Sequence, residues 1–103
     1  MSKTYSERRQ AVYFNAAARM YAVATEILDD CTLPAEFQGA TYRWARDLAA
    51  HTARQAQALK ELALEETSVY DGRVASGYNA AQRRYSEAVD RHLRLRVEYT
   101  TPA

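Results

Sequence analysis

Residues 74–99, VASGYNAAQRRYSEAVDRHLRLRVEY, decide the fold. Val74, Tyr78, Ala81, Tyr85, Ala88, His92, Leu95 and Tyr99 follow one another at alternating intervals of four and three. An α-helix turns once per about 3.6 residues, so this spacing lines the side chains along one stripe. A strand would need a period of two and turn residues at its ends. The stretch therefore reads as a long helix with one face prepared for a neighbouring helix. Gly77 weakens its start, so the helix is expected to begin on either side of that residue.

Upstream, Tyr70-Asp71-Gly72 reads as a stop. Before it, from Thr41 to about Ser68, apolar residues again recur at three and four. Ala45, Leu48, Thr52, Leu59, Leu62 and Val69 form the expected seam. Ala49, Ala53, Ala56 and Ala63 lie beside it as a strip of small side chains, suited to close approach by a neighbour that carries tyrosines. Pro34 fits the first turn of a helix, and Gly39 is expected to separate a short turn over 34–38 from the main helix.

The first segment, about 5–30, opens with Thr4 and Glu7 in capping-box spacing. Its apolar arc contains Val12, Tyr13, Phe14, Ala16, Ala17, Met20, Tyr21, Val23, Ala24, Ile27 and Leu28. One neighbour needs a stripe of about 100°; this arc is roughly twice as wide, so the helix should touch two partners. The expected fold is all-α: one domain over 1–103 with helices at about 5–30, 41–68 and 74–99. They would form an up-down-up antiparallel bundle or a coiled-coil-like helical hairpin. Charge supports the first order. Arg8 and Arg9 open the first helix where Glu61, Glu65 and Glu66 close the second. Glu26, Asp29 and Asp30 would meet Arg43, Arg46 and the Arg91–Arg96 end of the third.

Composition agrees. The chain has 103 residues, 48% hydrophobic and 26% charged, an ordinary balance for a folded domain and too short for a second core. Three Gly and two Pro are too few for a hairpin-rich β fold. A formal net charge of +1 supplies no global field toward nucleic acid or an anionic membrane. The single Cys31 cannot form an internal disulfide, and no apolar leader or span is evident, so a cytoplasmic location is expected. Alanine seams bury little area per residue, which favours a homo-oligomer, a dimer first, or a partner that completes the core.

No nucleophile elbow, phosphate loop, dinucleotide fingerprint or paired-carboxylate motif occurs, so neither catalysis nor a cofactor is expected. His51 and His92 stand in different segments, and Asp47 with His51 lacks the second carboxylate–His set of a di-iron bundle. No metal is expected. Arg83, Arg84, Arg91 and Arg94 suggest a nucleic-acid face. Glu87, Asp90 and Glu98 at helical spacing neutralise much of it, so that reading stands second. His92 and Arg96 project onto the apolar stripe and offer a third reading, a ligand-binding or catalytic bundle end.

Tyr, Trp and Arg dominate the energetics of protein interfaces. The chain holds eight Tyr and one Trp, and Tyr42, Trp44, His92, Arg96 and Tyr99 are the candidate partner-binding residues. The leading expectation is a small helical module that binds another protein and acts sterically, as an inhibitor or adaptor. Phage-encoded inhibitors of host defence share this size and character.

Overall fold

The computed structural model describes the backbone of residues 4–30, 38–67 and 72–100. Side chains are described within these except at 38–42, Val74 and 95–100. The chain forms three α-helices: α1 Tyr5–Asp29, α2 Gln38–Glu66 and α3 Gly72–Thr100. Thr4 caps α1; its extended backbone lets Oγ1 accept a 3.1 Å hydrogen bond from the Glu7 amide. α3 begins at Gly72, ahead of Gly77, on one of the two sides that the sequence allowed. Gly39 is the second residue of α2, so it does not divide Gln38 from the main helix; residues 34–37 of the expected short turn lie outside the described residues.

The helices run up, down and up as an antiparallel three-helix bundle about a 62 Å long axis, 18 Å and 17 Å across. α1 is central. It packs along both α2 and α3, while α2 and α3 touch each other little. The wide apolar arc of α1 is thus used as expected, on two partners. Its buried line is Gln10, Phe14, Ala17, Tyr21, Ala24 and Leu28. That is another alternation of four and three, so α1 carries a heptad seam that the polarity of Gln10 hides.

The core alternates thick and thin layers. Phe14 meets Tyr78 at 5.9 Å between ring centroids, and Tyr21 lies 5.4 Å from Tyr78 and 5.5 Å from Tyr85. Between these aromatic layers sit Ala17, Ala56 and Ala81. The next layer is Ala24, Ala49 and Ala88, with Leu28 beyond. Alanine contributes little apolar area but lets backbones come close. The aromatic rings contribute most of the area and need the gaps that small neighbours leave.

α2 differs in part from expectation in its rotation. The whole alanine strip, Ala49, Ala53, Ala56 and Ala63, faces inward, and of the expected seam's described residues only Ala45 and Thr52 are buried with it. Leu48 and Leu62 remain 37% and 42% exposed, and Leu59 is half-buried. The cause is volume. Tyr21, Tyr78 and Tyr85 already fill the space between helices, so only small side chains fit opposite them.

Polar contacts set the register. The buried Gln10 Nε2 donates to the Ala63 carbonyl oxygen at 3.2 Å, near the C-terminal end of α2 where helix carbonyls need donors. Arg9 pairs with Glu66 at 3.0 Å, and Arg91 on α3 reaches Asp29 on α1 at 3.1 Å. Both exposed pairs join the ends that charge placement matched. At about 0–1 kcal/mol each they select the arrangement rather than hold it.

Candidate functional site

Two features stand out once the core is closed. The first is an apolar face shared by α1 and α2. On α2, Arg46, Ala50 and Lys60 turn toward α3: Arg46 and Ala50 line a cleft with Tyr85 and His92, and Lys60 Nζ lies 5.6 Å from the Tyr78 ring centroid. At 100° per residue, Trp44, Leu48 and Leu62 then lie on the opposite flank. Trp44 is 65% exposed there. On α1, Val12 and Val23 occupy the outer side and are 63% and 45% exposed. Half-buried Ile27 packs beside Ala45 and links the two helices at the Trp44 end. Val12 and Val23 were expected in the arc that meets the two partner helices; they are exposed instead, because the buried line of α1 runs through Gln10, Phe14, Ala17, Tyr21, Ala24 and Leu28. These five large apolar side chains lie on one side of two adjacent helices, with exposed Arg19, His51 and Gln55 between them.

The second feature is a cleft of about 230 Å³ at the other edge of the bundle. Leu28, Tyr85, Val89 and Leu93 give it apolar walls; Arg46, Asp47 and His92 give it polar ones. It exists because α2 and α3 diverge over α1 rather than meeting. His92 is 2% exposed, a continuation of the heptad line through Ala88. Tyr85 borders both this cleft and the Tyr21 ring. Burial, reinforced by Tyr21, pushes the Tyr85 hydroxyl above the ordinary tyrosine pKa.

Of the expected partner-binding residues, Trp44 lies on the first feature and His92 on the second. The side chains of Tyr42, Arg96 and Tyr99 lie outside the described residues, as does Cys31. Arg83, Arg84 and Arg94 are exposed on α3, but Arg91 is engaged by Asp29. His51 and Asp47 are exposed on α2, and no three His, Cys, Asp or Glu side chains converge as a metal would need among the described residues. No helix among the described residues is long and apolar enough to cross a membrane. Sequence reasoning missed that Arg46 and Asp47 line a cleft together with His92. They belong to different helices, and only the packing brings them together. It placed Leu48 and Leu62 in the core, so it also missed the α1–α2 face.

Compared with known protein families, characterised proteins and solved structures, the chain matches none.

Proposed function

We propose that the protein is a helical interaction module that docks a preformed face onto another protein and acts sterically, as an inhibitor or adaptor. The observation that carries this reading is the α1–α2 face, where Val12, Val23, Trp44, Leu48 and Leu62 stay exposed although the core behind them is closed. Trp with aliphatic neighbours on a rigid helical surface is the composition that anchors protein interfaces. Rigid docking needs little ordering on binding, so a small face can suffice.

The test is affinity purification of the tagged chain from its native cell, beside a Leu62→Glu variant whose helicity matches. Leu62 is exposed, so the variant keeps the fold. A partner recovered with the parent and lost with Leu62→Glu supports the reading. Equal recovery with both, or with neither, overturns it.

A second reading has its own support. The cleft beside His92 combines apolar walls with Arg46 and Asp47, a mixture suited to a small amphipathic ligand. Fragment screening by NMR tests it: shifts clustered at Val89, His92 and Leu93 support a site, and their absence across the library removes it. The nucleic-acid reading has less behind it, since Asp29 neutralises Arg91.

A further inference from the structure

We propose that the cleft beside His92 binds a free α-amino acid with an apolar side chain. Arg46 would hold its carboxylate, Asp47 its ammonium group, and Leu28, Val89 and Leu93 its side chain. This rests on the reading of the cleft as a site for a small amphipathic ligand and names the class of that ligand.

Size sets the first limit. The cleft encloses about 230 Å³, below the roughly 300–1,000 Å³ of pockets that take drug-sized ligands. At about 30 Å³ per water-sized group it has room for on the order of eight non-hydrogen atoms. That is the scale of an amino acid and far below that of a nucleotide.

Charge sets the second. Arg46 is half-buried and Asp47 exposed, so the guanidinium stem is drawn into the cleft while the acid stands nearer to solvent. Among the described residues they pair neither with each other nor with a third charged side chain. Arg9 and Arg91, by contrast, are each held by an acid on a neighbouring helix. Opposite charges that share a cleft without pairing are satisfied together by a ligand that carries both signs. A plain carboxylate on Arg46 would be repelled by Asp47 with nothing to offset it, and a plain amine on Asp47 would be repelled by Arg46. Guanidinium and carboxylate can form two parallel hydrogen bonds, so Arg46 also orients the ligand. His92 is 2% exposed and offers the ligand little surface.

The apolar walls set the third. Leu28 is buried, Val89 half-buried and Leu93 still 39% exposed, so an apolar side chain in the cleft would take the remaining surface of Val89 and Leu93 out of water. Leu28 stands on α1, Ala50 with Arg46 and Asp47 on α2, and Val89 and Leu93 on α3. All three helices thus supply a wall, and the bundle forms the site before the ligand arrives.

The experiment is an NMR titration of the purified, isotope-labelled full chain with L-leucine, L-phenylalanine, glycine, leucinamide and 4-methylpentanoate. The last two are leucine without its carboxylate charge and without its ammonium group. L-leucine or L-phenylalanine should give saturable shifts at the backbone amides of Ala50, Val89 and Leu93, with a Kd of about 1 mM or below. Glycine, leucinamide and 4-methylpentanoate should each bind at least about tenfold more weakly than the better of those two. Arg46→Gln should abolish the preference for leucine over leucinamide, and Asp47→Asn, at an exposed position, the preference over 4-methylpentanoate. Both are ratios within one variant, so a change in overall stability does not imitate them. No saturable shift with L-leucine or L-phenylalanine up to about 10 mM overturns the proposal. So does 4-methylpentanoate or leucinamide binding as tightly as leucine, or preferences that survive both substitutions. A different fragment that shifts Val89, His92 and Leu93 while the amino acids do not would sink the amino-acid assignment and leave the small-ligand reading standing; silence from every compound removes both.

Discussion

The inward rotation of α2 can be tested by reversing the sizes of two adjacent side chains. Ala49 is fully buried in a layer with Ala24 and Ala88, and these three methyl groups set how closely the helices approach. Ala49→Leu inserts three carbons where no cavity receives them. Overpacking of this kind costs about 1–3 kcal/mol. For a domain of this length each kcal/mol moves the melting temperature by about 4–8 °C, so Ala49→Leu should lower it by roughly 4–24 °C. Leu48→Ala removes a side chain already 37% exposed. It should cost about 1 kcal/mol, below the 2–5 kcal/mol of a fully buried leucine. Ala58→Leu, at an exposed position of the same helix, serves as the control and should change stability by less than about 0.5 kcal/mol. Thermal and urea unfolding followed by circular dichroism at low protein concentration measures all three. If Leu48→Ala costs more than Ala49→Leu, α2 faces its partners with leucine, and the layered alanine core is wrong.

Three further outcomes follow from the same structure. Gly77 sits exposed inside α3, with open space where an added methyl group would stand, so Gly77→Ala should raise stability by about 0.5–1 kcal/mol in the same unfolding assay. Thr4→Ala removes the cap on the Glu7 amide and should cost about 0.5–2 kcal/mol, with amide exchange accelerated only in the first turn of α1. Alkali should destabilise the fold. Burial, and after it the neighbouring Tyr21 hydroxyl, raises the Tyr78 pKa above its ordinary value of 10, and burial raises Tyr85 likewise. The folded state therefore holds these protons more tightly than the unfolded chain. That contribution is whole below pH 10 and is lost as pH rises beyond it. Tyr78→Phe should move the alkaline unfolding edge to higher pH, and an unchanged edge would show that Tyr78 does not control it.

Periodicity alone determined that this chain is helical, that it has three helices, and that α3 turns Tyr78, Ala81, Tyr85, Ala88 and His92 inward. Those facts follow from how often a helix repeats, and every described residue of the α3 stripe is buried or half-buried. Charge placement also sufficed for the order of the helices, because Arg9 with Glu66 and Arg91 with Asp29 join ends whose signs were complementary in the sequence. The rotation of α2 was different. Its leucines and alanines form two adjacent stripes, either of which makes an amphipathic helix on its own. Only the bulk of the tyrosines arriving from α1 and α3 chooses alanine. The surfaces that matter for function follow from that choice: Leu48 and Leu62 become available beside Val12 and Val23, and Arg46 and Asp47 come round to His92. A helix knows its own apolar side from its sequence, but how much of that side is covered depends on the volume of side chains contributed by the other two.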